Sequence, residues 1–154
     1  MGKTSTSQAA GRIAESGYRL DAQIGFLLRC AYQRATGNLL SQIGAHDLTT
    51  PQFATLTRLY ERGRVSQNLL GRLVAMEPAN IRDVVLRLRK RRLVKTERAP
   101  DDGRRTLVSL TPSGTVLVED LIPVEIESTA RTLAPLKPNE RRILLALLRR
   151  IAQG

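Results

Sequence analysis

The stretch that decides the fold is Val65–Thr111, VSQNLLGRLVAMEPANIRDVVLRLRKRRLVKTERAPDDGRRTLVSLT. Its pattern predicts a short helix, a tight turn, a second helix and then a two-stranded hairpin with a basic tip. That order of elements is a winged helix-turn-helix. The longer helical segments on either side are expected to support it, so the predicted fold is mainly α with a small β-wing.

The second helix of this stretch has an apolar face and a polar face. Pro78 suits a first helical position, where a missing N–H leaves no bond unmade. Apolar residues follow at the helical spacing: Ile81, Val84, Val85 and Leu88. The opposite face and its flank carry Ala79, Asn80, Arg82, Asp83, Leu86, Arg87 and Lys90. Such a face suits the DNA major groove, where Arg pairs with guanine and Asn with adenine. The alternative is a solvated helix surface.

The hairpin favours the DNA-binding interpretation. Residues 93–97 and 106–110 are β-prone, and the segment between them is dense in turn formers. Arg104 and Arg105 at its tip would enter or straddle the minor groove, which concentrates negative potential. Asp102 is expected to position Arg104 across the hairpin. The alternative for this tip is a solvated charged loop.

Four motifs in this order resemble the MarR family of bacterial regulators. They are Val65-Ser66-Gln67, the helix 78–91, the tip Asp101-Asp102-Gly103-Arg104-Arg105 and the exit Val108-Ser109-Leu110-Thr111-Pro112-Ser113-Gly114. The match runs from about Leu20 to Ala152. The resemblance implies a homodimer that binds pseudo-palindromic promoter double-stranded DNA, usually as a repressor released by a small aromatic acid or phenol. It also implies dimerisation helices at 12–45 and 112–152 around a winged helix-turn-helix at 48–111.

Two residues depart from the family pattern. Asp83 stands where a basic or polar base-reading residue is common, so it either accepts from cytosine N4 or orients Arg82 or Arg87. Arg92 stands where a glycine usually closes the helix, so it is expected to take a positive φ.

The DNA contacts follow from these faces and from the resemblance. Asn80 and Arg82 are expected to read bases. Phosphates are expected to be held by Ser66, Arg72, Arg87 and Lys90. The complete predicted set is Ser66, Arg72, Ala79, Asn80, Arg82, Asp83, Arg87, Lys90, Asp102, Arg104 and Arg105.

An effector site is implied near the first helix. The apolar period over 18–43 predicts that long helix, and the resembled family binds its ligands where this helix, the turn at 44–48 and the next helix meet the dimerisation helices. His46, the only histidine, is then the leading candidate to bind an acidic ligand. The alternative is a structural or solvated side chain. Weaker candidates are Arg19, Phe26, Arg29, Cys30 and Gln52.

Cys30 raises the alternative of a redox-sensing regulator. An inert thiol is the simpler interpretation, because only Arg29 and Arg34 are placed to favour a reactive thiolate. Peroxide-sensing members of the resembled family carry their cysteine near the start of this helix, where Gly25 stands in this sequence.

Composition limits the classes of function. A chain of 154 residues is expected to form one domain, 1–154, and is long enough to bury a hydrophobic core. Its net charge is +11, and the window from Arg62 to Arg105 holds 13 Lys or Arg against 5 Asp or Glu. A localised positive field indicates an anionic partner. Aromatic residues make up only 3%, which argues against single-strand binding by base stacking.

Several features are missing from the sequence. It has no apolar run of the roughly 20 residues that cross a membrane, and its N-terminus has no hydrophobic stretch typical of a signal peptide, so neither feature is expected. A single cysteine cannot form a disulfide within the chain, so a cytoplasmic protein is expected. The polar residues 1–11 predict a flexible tail. No nucleophile–base pair, metal cluster or phosphate loop is present, so no enzyme activity, cofactor or metal site is expected. The rival to a specific regulator is an architectural or low-specificity DNA-binding protein without ligand control.

Overall fold

The computed structural model describes residues 16–154. The tail expected over 1–11, together with residues 12–15, lies outside the described residues. Contacts divide the chain into two compact units, Met1–Ala35 and Thr36–Gly154. The boundary falls inside the first helix, α1 (Ile24–Ile43), which spans 20 residues.

The first helix begins later than the sequence predicts. A single 3-10 turn, Leu20–Ala22, comes first, and Gln23 is extended with φ −84° and ψ 130°. Its N–H bonds to the Leu20 carbonyl and closes that turn. The helix expected from residue 18 is therefore interrupted, although the spacing of its apolar residues gives no sign of a break.

The second unit holds the winged helix-turn-helix. A 3-10 turn, Gly44–His46, follows α1. The elements after it are α2 (Thr50–Arg62), β1 (Val65–Ser66), α3 (Gln67–Leu73), α4 (Pro78–Lys90), β2 (Val94–Arg98), β3 (Thr106–Leu110), α5 (Pro112–Thr132) and α6 (Pro138–Gln153). The mainly α fold with a small β-wing is confirmed.

The wing is a three-stranded antiparallel sheet in the order β1-β3-β2. Val108 on the central strand pairs with Thr96 on one side and with Val65 on the other. The sequence predicts only the two-stranded hairpin, so the third strand is a correction. Two residues are too short to show an alternating pattern, and β1 is defined only by its distant partner.

Side-chain caps fix the helix starts. Thr49 and Gln52 form the expected capping box, with Gln52 N donating to Thr49 Oγ1 at 3.3 Å and Thr49 N donating to Gln52 Oε1 at 3.0 Å. Ser66 caps α3 and Thr111 caps α5. These caps set where the helices under the wing begin.

One core supports the wing and α4. Its fully buried members come from the end of α1, from α2 to α5 and from both long strands: Ile43, Phe53, Leu56, Leu59, Leu70, Ile81, Leu88, Val94, Val108, Val118 and Leu121. The last helix, α6, contributes no buried residue. The winged helix-turn-helix thus has a core of its own.

The end of α4 and the start of α5 meet at one point. Arg92 has φ 58°, which confirms the expected positive φ. Thr111 N donates to the Leu93 carbonyl at 3.1 Å, and Thr111 Oγ1 donates to the Arg92 carbonyl at 2.6 Å. The same oxygen accepts from Gly114 N at 3.1 Å. These bonds hold the two ends of the β2–β3 hairpin together.

Candidate nucleic-acid interface

The outer face of α4 is open to solvent. Ile81, Val85 and Leu88 face the core and are at most 3% exposed. The seven residues that the sequence places on the other face and its flank are all exposed: Ala79, Asn80, Arg82, Asp83, Leu86, Arg87 and Lys90. The folded chain therefore presents this predicted surface without rearrangement.

Asp83 does not orient a neighbouring arginine. Among residues 16–154, no ion pair or side-chain hydrogen bond joins Asp83 to Arg82 or Arg87. The alternative in which Asp83 orients Arg82 or Arg87 therefore has no contact to support it, and all three side chains are exposed. An acceptor for a base edge remains the other interpretation of Asp83.

The wing tip is held by its aspartates. Asp102 Oδ1 accepts from the backbone N–H of Arg104 at 3.0 Å, so Asp102 shapes the turn and does not hold the Arg104 guanidinium across the hairpin as expected. The Arg105 guanidinium pairs with Asp101 at 2.5 Å and lies 3.9 Å from Asp102. Its hydrogen bond lowers the pKa of the Asp101 carboxyl.

The two tip arginines therefore differ. Arg105 already has a carboxylate partner. Within the described part of the chain, the Arg104 guanidinium forms neither a hydrogen bond nor an ion pair. Arg104 is thus the cation at the tip that is free to take an anionic partner.

Sequence reasoning missed the arginines that brace the wing. Arg98 donates to the Gly103 carbonyl at 2.7 Å and closes the tip. Arg64 pairs with Glu97 at 2.6 Å. Arg89 of α4 donates to Thr96 of β2 at 3.3 Å. These partners are distant in sequence or are backbone atoms, so local patterns gave no indication of them.

Ser66 and Arg72 lie on or beside α3. The Ser66 hydroxyl accepts from Leu69 N at 3.3 Å, so its capping role is confirmed. Arg72 is exposed in the last turn of α3. Phosphate binding by either residue stays a prediction.

Four candidate effector residues belong to the first unit. Arg19 forms a bidentate pair with Asp21, at 2.8 and 3.1 Å, which lowers the pKa of the Asp21 carboxyl. Phe26 is partly buried, whereas Arg29 and Cys30 are exposed. Because Asp21 already neutralises Arg19, Arg29 is the better placed of the two arginines to accept an anion.

The other two candidates belong to the second unit. His46 is exposed at the end of the 3-10 turn. Its backbone carbonyl accepts from Arg91 Nη2 at 2.8 Å. Gln52 is 8% exposed, and its side-chain oxygen is occupied by the capping box.

Over residues 16–154, no three His, Cys, Asp or Glu side chains are grouped so as to hold a metal ion. Over the same range, no helix combines the length and the apolarity needed to cross a bilayer.

Sequence comparisons find transcriptional regulators. A family model described as transcriptional regulator SarA/Rot matches residues 38–121. The transcriptional repressor NicR of Pseudomonas putida is 36% identical over 146 residues, which cover 95% of this chain and 92% of NicR.

Solved structures share the fold. One of them is BpsR of Bordetella bronchiseptica, whose DNA binding is regulated by 6-hydroxynicotinic acid. BpsR is 36% identical to this chain with a TM-score of 0.84, and the match covers 89% of this chain and 98% of BpsR. A MarR mutant from E. coli crystallised with operator DNA is 21% identical with a TM-score of 0.78, covering 83% and 92%, and shares the fold. The chain therefore belongs to the MarR family of DNA-binding, winged helix-turn-helix transcriptional regulators.

Proposed function

We propose that the protein is a homodimeric repressor that binds a pseudo-palindromic operator and is released by a small aromatic acid or phenol. The observation that carries the proposal is the exposed polar face of α4 together with a wing tip on which the Arg104 guanidinium has no partner among residues 16–154. The helix and the wing tip thus supply candidate contacts for two grooves of DNA. Because it binds promoter DNA, the protein would act in the cytoplasm.

In this proposal α4 enters the major groove. Asn80 and Arg82 read base edges, with Ala79 and Asp83 beside them. Ser66, Arg72, Arg87 and Lys90 hold phosphates, and Arg104, with Arg105, addresses the minor groove while Asp102 shapes the turn. The two α4 helices of a dimer would lie roughly 34–36 Å apart, one turn of DNA.

The dimer is inferred from the apolar surface of the terminal helices. In α6 the exposed fractions are 45% for Ile143, 45% for Leu147 and 59% for Ile151. Separately, Ile24 at the start of α1 is 60% exposed. Exposed apolar rows of this length are typical of obligate dimer interfaces. We assign dimerisation to the helices within 12–45 and 112–152, and the winged helix-turn-helix to 48–111.

The effector is inferred from the relatives and from the candidate residues. NicR is described as a repressor, and BpsR as regulated by 6-hydroxynicotinic acid. In the second unit, His46 would bind the carboxylate of such a molecule, and Gln52 is the other candidate there. In the first unit, Arg29 is the leading candidate, and Arg19, Phe26 and Cys30 are the weaker ones. The effector would bind one spacing of the two α4 helices better than another. It can shift the equilibrium between the two spacings only by as much as its binding free energies for them differ, typically about 1–3 kcal/mol.

DNA specificity is tested by selecting bound duplexes from a random pool at about 0.15 M salt, near physiological ionic strength. The expected product is an inverted repeat with half-sites about one turn apart. If no sequence is enriched and binding falls steeply with salt, only the electrostatic surface acts. The protein would then be an architectural DNA-binding protein.

Effector control is tested by titrating the enriched duplex with and without 6-hydroxynicotinic acid, with cyclohexanecarboxylic acid, a non-aromatic acid of the same charge, as the control. We expect the hydroxylated acid to weaken binding by about 5- to 150-fold. His46→Gln should reduce that factor while leaving ligand-free affinity unchanged, because His46 is not among the proposed DNA contacts. An unchanged factor in His46→Gln would remove His46 from the effector site.

A further inference from the structure

Arg91 joins the end of the recognition helix α4 to the turn that carries His46. Its Nη1 donates to the Asp47 carbonyl at 2.6 Å and its Nη2 to the His46 carbonyl at 2.8 Å. Arg91 is the C-cap residue of α4, and its own N–H bonds to the Arg87 carbonyl at 3.2 Å. A single side chain thus bridges segments more than forty residues apart in sequence.

The turn offers two carbonyls that need donors. The 3-10 turn Gly44–His46 ends at Asp47, which has φ 54° and ψ 40° in the left-handed region. The last carbonyls of a helical turn have no partner within it. The planar guanidinium supplies two parallel N–H donors, an arrangement that a lysine ammonium does not reproduce.

The turn is also anchored on its other side. Leu48 follows Asp47 and is only 2% exposed, and the capping box of α2 begins at the next residue. The His46 and Asp47 peptides therefore lie between a buried residue and the Arg91 guanidinium that is bonded to them.

We propose that Arg91 is a positioning residue that couples the His46 turn to the recognition helix. The assignment rests on the proposed function, in which His46 belongs to the effector site. A ligand that moves the turn changes the pose of α4 through the two Arg91 bonds. By reciprocity, DNA that fixes α4 must alter the turn.

The chain offers a matched control for Arg91. Arg89 lies two residues earlier and carries the same charge, and its guanidinium donates to Thr96 of the wing at 3.3 Å. Arg89→Gln and Arg91→Gln therefore remove the same charge from the same end of α4. Only Arg91→Gln breaks the bonds to the turn.

The test uses the only histidine as a reporter. Labelling the full chain with 13C,15N-histidine gives a single carbonyl resonance, that of His46, which is itself an acceptor of Arg91. The resonance is recorded with and without saturating duplex of about 20 base pairs, two helical turns. The duplex is the enriched sequence or, if none is enriched, a random sequence at low salt, so the test does not depend on the selection.

We expect the resonance to shift on DNA binding in wild type and in Arg89→Gln, and to stay fixed in saturated Arg91→Gln. Arg91→Lys, with a single ammonium, should recover part of the shift. A full shift in Arg91→Gln would overturn the proposal, as would no shift in wild type. If Arg91 served only stability, its loss would lower the Tm and leave the DNA-induced shift intact.

A second measurement separates this inference from the effector proposal. Wild type should lose DNA affinity by about 5- to 150-fold with 6-hydroxynicotinic acid, and Arg91→Gln by less than about twofold. If wild type does not respond to this acid, that effector is wrong, and the resonance experiment still decides the role of Arg91.

Discussion

The winged helix-turn-helix and the last helix bury their apolar residues very differently. In α4, Ile81, Val85 and Leu88 are at most 3% exposed. In α6, apolar residues recur at a similar density, yet none is buried. The contrast shows that the winged helix-turn-helix buries its apolar residues within one chain, whereas α6 leaves all of its apolar residues at least partly exposed, as the proposed dimer requires.

The largest expected effect on stability comes from adding a side chain at Gly114, where α5 packs closely against the backbone of Leu93. A Cβ on Gly114 would lie 2.0 Å from the Leu93 carbonyl oxygen, which is backbone and cannot move away cheaply. Gly114→Ala should lower the free energy of unfolding by about 3 kcal/mol or more. Urea denaturation measures the loss.

Gly37→Ala is the control for that change. Gly37 also lies in a helix, and a Cβ there would meet nothing within 4 Å. Alanine should stabilise this helix by about 0.5–1 kcal/mol. Equal stability of Gly114→Ala and wild type would show that the wing is not a tightly closed unit.

The next effect tests the other side of the comparison. Leu147→Glu combined with Ile151→Glu places two charges on the exposed row of α6, and should weaken the proposed dimer by about 2–3 kcal/mol or more. Sedimentation equilibrium measures the dissociation constant. Leu86→Glu is the control, because Leu86 is 39% exposed on α4 and should leave association unchanged. An intact dimer in the double variant would place the interface elsewhere.

A smaller effect distinguishes the two arginines of the wing tip. Arg104 is unpaired among the described residues, whereas Arg105 already holds Asp101. Arg104→Ala should weaken operator binding about tenfold, or 1.4 kcal/mol, and Arg105→Ala should weaken it less. Fluorescence anisotropy at fixed salt gives both values, and the reverse ranking would contradict the assignment of Arg104 as the free cation.

The smallest effect concerns the contact of α5 with α2. Burial raises the pKa of the half-buried Glu125 carboxyl, and the nearby Glu61 carboxylate raises it further. The folded chain therefore binds the Glu125 proton more tightly than the unfolded chain does, and the stability that this gives is lost as the pH rises through the folded-state pKa. Glu125→Gln should stabilise the protein at pH 7 by about 0.5 kcal/mol or less.

Thermal unfolding at two pH values checks this expectation. As the pH falls toward 4, about the ordinary pKa of glutamate, protonation removes the charge on the wild-type Glu125 carboxylate in the folded chain before it does so in the unfolded chain, so the difference in Tm between Glu125→Gln and wild type should shrink. A difference that grows toward acid pH would contradict the direction of the pKa shift.

Much of the winged fold could be predicted because its determinants are local. The caps at Thr49, Ser66 and Thr111 follow from residues close in sequence. The positive φ of Arg92 was expected from the glycine that the resembled family has at that position. The exposed front of α4 follows from one helical period. These features gave both the fold and most of the candidate DNA surface.

What sequence reasoning missed depends on partners that are distant or are backbone atoms. Strand β1 exists only because Val65 pairs with Val108. Arg91 binds two carbonyls of a turn whose side chains give no indication of it. At the wing tip, the pattern of Asp and Arg did not determine which carboxylate holds which guanidinium, because alternative pairs have similar energies in water.

The hydroxyl of Thr111 has a consequence for how the operator can evolve. It donates to Arg92 and accepts from Gly114, so the hairpin leaves α4 and returns to α5 at one fixed point. In the proposed complex, the distance from the bases under α4 to the bases under the wing would then be set by the protein. Substitutions in a promoter can be followed by exchanging side chains, but an insertion or deletion between those two positions cannot, so the length of each half-site should drift far more slowly than its sequence.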